Sequence, residues 1–202
     1  VSAVRRSAAA AACAALALAL AGCTGSGDKE PAADPPSASS TPLQDFATDQ
    51  VTVARGEFCA RVAPEAVADA LGAEPETTDS WANGDRARLS KGVRDVAHEY
   101  GCSWTAADGT VARAWVFAPP VTPDRVRALG RESRRADGCE PVPAAPAYGD
   151  PSAAVRCGRE ISFRGLFGDA WLSCSLQTPG TPPDVDRAGR WCVAVAQAAG
   201  SA

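Results

Sequence analysis

The sequence predicts an α+β fold: a mostly antiparallel sheet with helices packed on it, stapled by disulfides. Three observations predict it. Two stretches alternate apolar and polar residues and fold back at Asp-Gly or Gly-Asp turns. Helical patterns with helix-start signals are interleaved with these hairpins. Six cysteines, Cys59, Cys102, Cys139, Cys157, Cys174 and Cys192, are spread through residues 44–202. Helices interleaved with antiparallel pairs pack as layers over one core.

Taken in order, residues 44–58 carry Phe46, Val51, Val53 and Phe58 among polar residues and read as an opening strand or packed arm. Pro64 to Gly72 predicts a short helix. Pro64 suits its first turn, Glu65 its positive end and Gly72 its stop. Residues 73–92 read as a long loop holding Trp81. His98, Tyr100, Cys102 and Trp104 alternate with Glu99, Gly101, Ser103 and Thr105, the period of a half-buried strand. Asp108-Gly109 turns the chain into a returning strand over Thr110 to Ala118. Thr122-Pro123 opens a second helix, with Val126 and Leu129 on its apolar side and Asp137-Gly138 at its close. Residues 141–152 read as a loop and Ala153 to Cys157 as a strand. A second hairpin follows, turning at Gly168-Asp169 and returning through Trp171 and Cys174 to Leu176. Val185, Ala188, Cys192, Val195 and Ala199 recur at helical spacing in a last helix that begins near Asp184.

Six cysteines allow 15 pairings, among which sequence alone does not choose. The expectation adopted is the pairing of chain neighbours: Cys59–Cys102, Cys139–Cys157 and Cys174–Cys192. The cysteines are far apart and form no C-x-x-C pair, which argues against zinc and against thiol–disulfide exchange. No metal and no cofactor is expected.

The N-terminal 43 residues are organised differently. Arg5 and Arg6 precede an uncharged run over residues 8–21 that holds Leu16, Leu18 and Leu20 among alanines. Its apolar part is too short for a spanning helix of about 20 residues, and a charged start, short apolar core and small residues describe a secretory signal. Leu20-Ala21-Gly22-Cys23 resembles the bacterial lipoprotein signal at all four positions. That resemblance implies cleavage between Gly22 and Cys23 and a diacylglycerol, with acyl chains such as palmitate, on the Cys23 sulfur. Cys13 is the rival lipid site, but Ala10-Ala11-Ala12 before it lacks the leucine. Ser7-Ala8-Ala9 after the arginine pair departs from the twin-arginine pattern and favours the general secretory route. The expected organisation is a signal peptide over 1–22, a lipidated cysteine with a disordered Pro/Ser-rich tether over 23–43, and one extracytoplasmic domain over 44–202. The tether, too poor in apolar residues to offset its ordering entropy, reads as a flexible stalk on the cell membrane's outer face.

The chain has 20 basic and 24 acidic residues, and removal of Arg5 and Arg6 leaves 18 basic. A mature chain near −6 argues against a nucleic-acid partner. Arg125, Arg127, Arg131, Arg134 and Arg135 cluster on one predicted helix and read as a solvated face. The absence of Met, Val1 in the place of an initiator, and 18 Arg against Lys29 and Lys91 fit a GC-rich genome with a GTG start.

Catalytic signals are sparse. His98 is the single histidine, and no G-x-S-x-G elbow exists for a common serine hydrolase. Glu65 and Asp69 share a helix face and read as solvated. Trp81, Tyr100 and Trp104 are candidate ligand contacts; with Trp115, Trp171 and Trp191 they are also the natural stock of a packed core.

The lipobox, the acidic Pro/Ser tether, the early cysteine before a helix ending in Leu71-Gly72, and the Gly101-Cys102-Ser103-Trp104 strand resemble actinobacterial cell-envelope lipoproteins of unknown function. Some of these are similar to sensor-type domains outside membrane kinases. The resemblance implies no catalytic residues. The expected function is a membrane-anchored, non-catalytic binding or accessory domain for an envelope protein, glycan or lipid. The alternatives are a lipoprotein that only scaffolds another envelope protein, and an envelope hydrolase using His98.

Overall fold

A computed structural model describes residues 41–90 and 92–200 of the 202-residue chain. The expected signal peptide over 1–22, Cys23 and nearly all of the expected tether over 23–43 lie outside the described residues. The element order is α1 (Pro64–Leu71), β1 (Thr77–Trp81), β2 (Arg86–Ser90), β3 (Val93–Val96), β4 (Glu99–Thr105), β5 (Val111–Phe117), α2 (Pro123–Arg135), β6 (Cys139–Pro141), β7 (Ser152–Cys157), β8 (Glu160–Phe167), β9 (Ala170–Gln177) and α3 (Val185–Ala199). Seven strands form one sheet in the order β1-β4-β5-β9-β8-β7-β6, with every neighbouring pair antiparallel. β2 and β3 form a separate hairpin. This is the α+β, antiparallel, disulfide-bonded architecture that the sequence predicts.

Strand alternation gives the sheet two different faces. On the first, one cross-strand row reads Ser80, Cys102, Ala114, Cys174, Phe163 and Ala154. Trp104, Ala112, Val116, Leu172, Leu176 and Ile161 flank that row and are buried with it. α1 and α3 cover this face. The disulfide Cys59–Cys102 ties the 3₁₀ turn Cys59–Arg61 to β4, and Cys174–Cys192 ties β9 to α3. The third bridge, Cys139–Cys157, joins β6 to β7 at the far edge. Chain neighbours are thus paired throughout.

Local signals explain the helices. Gly72 follows α1 in the left-handed region at φ 74°, where a side chain would be strained. The Thr122 hydroxyl accepts from the Arg125 backbone N–H at 3.4 Å and caps α2. α2 lies on the second sheet face, where Val126 and Leu129 pack with Val121 and Trp171.

Three segments differ from the sequence expectation. Residues 73–92 are not a loop throughout, because they supply β1 and β2. β1 escapes an alternation test because Thr77 to Ser80 are all exposed and only Trp81 is buried, as an edge strand allows. Of the two readings of residues 44–58, the packed arm holds: the 3₁₀ turns Leu43–Asp45 and Thr48–Gln50 and a single bridge from Val53 to Gly200 place Val53 and Phe58 in the core. β6 closes with Pro141, so the loop expected over 141–152 begins one residue later; Val142 and Tyr148 are buried within it. α3 is not half-exposed but buried almost all round. The reason is that α1 and the N-terminal arm wrap its outer side: Ala63 and Ala66 pack on Ala194, and Arg61 Nε donates to the Ala198 carbonyl at 2.7 Å.

The tether boundary also shifts. Leu43 is only 4% exposed and belongs to the core, with its Cβ 3.1 Å from where a Cβ on Gly189 of α3 would stand. The folded part therefore includes Leu43. Leu43→Ala is expected to cost about 2–3 kcal/mol in urea unfolding. A cost within experimental error would return Leu43 to the tether.

Candidate functional site

The second face of the sheet carries polar residues where the first carries the core. Its matching rows read Asp79, Ser103, Arg113, Ser175, Ser162 and, beside them, Trp81, Gly101, Trp115, Ser173, Arg164. α2 occupies one end of this face, and the base of the β2–β3 hairpin sits at the other, where Trp81, Ala87 and Ala97 pack together beside Trp115.

Trp81 is fixed from three sides. Its ring lies on Gly101, its cross-strand partner: a Cβ there would stand 2.3 Å from the ring. Only glycine leaves that space. The indole Nε1 donates to Glu99 Oε1 at 3.1 Å. The Arg113 guanidinium carbon stands 6.0 Å from the ring centroid, at the outer limit of a cation–π contact. The chain leaves Trp81 through a tight turn in which the Ala82 N–H donates to Asp85 Oδ2 at 2.8 Å, and Ala97 and Asp85 pair their backbones. That turn sets the hairpin against the sheet.

Two clefts meet at this residue. One, of about 380 Å³, is lined by Phe58, Cys59, Arg61, Trp81 and Tyr100. The other, of about 520 Å³, is lined by Asp79, Trp81, Asp85, Arg86, Arg88, Arg94, Ser103 and Arg113. Ser80, Trp81 and Asp85 belong to both. Ser80 and Tyr100 come from the first sheet face, and Ser103 and Arg113 from the second. The site therefore straddles the β1 edge of the sheet, aromatic on one side and cationic on the other.

The structure brings two of the three candidate aromatic contacts together. Tyr100 and Trp81 share a cleft. Trp104 does not join them. It shares a face of β4 with Tyr100 but lies four residues further along the strand, where it is a core residue edge-on to Trp191 of α3 with ring centroids 5.3 Å apart. Trp171 is buried beneath α2, and Trp191 Nε1 donates to the Arg113 carbonyl at 3.4 Å.

The other candidates stand apart from the clefts. His98 is exposed and, among the described residues, hydrogen-bonds through its side chain to no serine or carboxylate. Glu65 and Asp69 are exposed on α1. The arginines of α2 include Arg125 and Arg127, which pair with Glu132 and Asp124 in solvent. Among the described residues no three His, Cys, Asp or Glu side chains gather as a metal site, and no helix is long and apolar enough to cross a membrane.

Sequence reading missed the arginines of the second cleft. The signal was present. Residues 86–94 read RARLSKGVR, four basic residues and no acid within nine positions of a chain whose net charge is −4. Placing the stretch in a loop hid the fact that a hairpin would bring its arginines together.

Burial also shifts charges near the site. It pushes the Glu99 carboxyl above the usual glutamate range, while the Trp81 hydrogen bond, Arg113 and His98 pull it back in part. Burial raises Glu160 in the same way against the pull of Arg164 and Arg113. No protein-family model and no curated protein matches this chain. The site thus rests on its own geometry.

The Glu99 shift has a definite sign. The folded carboxyl holds its proton to a higher pH than the unfolded one. Its contribution to stability is therefore present at low pH and is lost as pH rises from the ordinary glutamate range through the raised folded value. Glu99→Gln keeps the acceptor for Trp81 and is expected to flatten the fall in Tm with rising pH across that window, leaving the part due to Glu160. An unchanged slope would show that Glu99 is not buried against Trp81.

Proposed function

We propose that this chain is a membrane-anchored envelope lipoprotein whose folded part is a non-catalytic binding domain, with its ligand seated at the β1 edge of the sheet. The support for the anchor is the run Leu20-Ala21-Gly22-Cys23 with its short apolar lead and the Pro/Ser-rich stretch that follows. A lipid-borne Cys23 puts the domain on the extracytoplasmic face of the cell membrane, held by acyl chains. The support for binding is a single observation: two clefts share one rigidly held tryptophan. A concave site with an aromatic wall and a few convergent polar groups is the usual form of a ligand pocket. Trp81 and Tyr100 offer flat apolar surface on one side, and the arginines offer charge on the other.

This reading is tested on the protein in its own membrane. A photoreactive benzoylphenylalanine replaces Tyr100 in one sample and the exposed Glu65 of α1 in a control, and each product is analysed by intact mass. The expected result is a mature chain that begins at an acylated Cys23, with a defined adduct from position 100 and none from position 65. A soluble product with an unmodified cysteine contradicts the anchor. Equal labelling at both positions, or none at position 100, contradicts the cleft.

A further inference from the structure

We propose that the arginine-lined cleft binds a phosphate group carried by the ligand. The proposal deepens the binding reading above and rests on it. By register, Arg88 of β2 and Arg94 of β3 are directly opposed, and Arg86 lies on the same face of the hairpin. Like charges placed opposite one another on neighbouring strands destabilise the pair. None of these three side chains has a hydrogen bond or ion pair to a described residue. Other arginines differ in this: Arg55 meets Asp169 and Arg125 meets Glu132, while the exposed Arg131, Arg134, Arg135 and Arg159 have no such partner among the described residues but are not set opposite one another across a strand pair.

The fourth arginine, Arg113, reaches the same cleft from the interior strand β5. Asp79 and Asp85 also line it. Asp85 is engaged in holding the hairpin turn through the Ala82 N–H. The three hairpin guanidinium groups against two carboxylates, one of them engaged in the turn, leave a cleft of about 520 Å³ with a positive excess, and Arg113, which also faces Glu99 and Glu160, lies beside them. A phosphate oxyanion matches this excess. Guanidinium groups bind it through paired, charge-assisted hydrogen bonds. The volume admits the phosphate together with the group that bears it, and Trp81 forms a common wall with the neighbouring aromatic cleft. The hairpin thus keeps an unfavourable arginine pair that an anion turns into a favourable one.

The test uses the full chain and two soluble probes in calorimetry at low salt: inorganic pyrophosphate, and dihexanoyl phosphatidylglycerol below its micelle concentration. Binding of pyrophosphate identifies a soluble phosphate compound as the source. Binding of the short-chain lipid without pyrophosphate identifies a lipid headgroup. In either case Arg94→Gln is expected to weaken binding about tenfold or more. The same substitution is expected to raise the Tm of the ligand-free protein by about 1–3 °C, since it relieves the opposed pair. Arg88→Gln should reproduce both effects. A merely structural role for Arg94 predicts the opposite sign in Tm. Failure of both probes to bind, or binding unchanged in both variants, overturns the proposal. Adducts at position 100 without phosphate binding would contradict the phosphate assignment alone. Loss of both would contradict the binding reading as well.

Discussion

The structure depends on two disulfides that enter one row of the sheet from either side of the interior strand β5. Cys102 and Cys174 are both cross-strand partners of Ala114, and each carries its bridge to the same face. One bridge fixes the turn that leads into α1, and the other fixes α3. Loops with sequence separations of 43 and 18 residues are closed in this way, and each closure contributes on the order of 3–4 kcal/mol by restricting the unfolded chain. Alanine at 114 leaves room for both. With the helices clamped there, the first face becomes the core.

That division of labour frees the other face. Its central rows keep serines, arginines and glycine where the first face holds Phe163, Leu172 and Val116. Gly101 is the clearest case, because the same strand that carries the buried Cys102 must leave an empty position one residue earlier for the Trp81 ring. The hairpin β2–β3 then leans on that ring through Ala87 and Ala97. Both clefts owe a wall to it. A tripeptide on β4 thus serves the core, the aromatic seat and the site together.

The sequence made the regular parts of this fold readable. β4 and β5 alternate cleanly about Asp108-Gly109, and Thr122-Pro123 and Gly72 mark helix ends by their own chemistry. What stayed hidden had little local pattern. β1 is an edge strand whose first four residues are exposed, so its register comes from β4 and not from its own alternation. Leu43 sits next to a polar stretch and shows its core role only through contact with α3. The candidate site was legible in halves. Trp81 and Tyr100 stood out as aromatics, but whether Trp104 belonged with them depended on where along β4 the helix α3 packs, since Trp104 meets Trp191 there. The arginines were visible as a charge run, yet their convergence required the hairpin.

The central claim is that the ligand-bearing surface is the β1 edge of the sheet around Trp81 and not the core around Trp104 and Trp191. It is tested most directly by ¹⁹F resonance of the full chain labelled with fluorotryptophan, with each of the five tryptophans assigned by substitution to phenylalanine. Solubilised envelope from the protein's own cells is then added. The account predicts that the Trp81 signal shifts or broadens, while Trp104 and its edge-on neighbour Trp191 of α3 stay in place. Movement of Trp104 and Trp191 with Trp81 unchanged would contradict it.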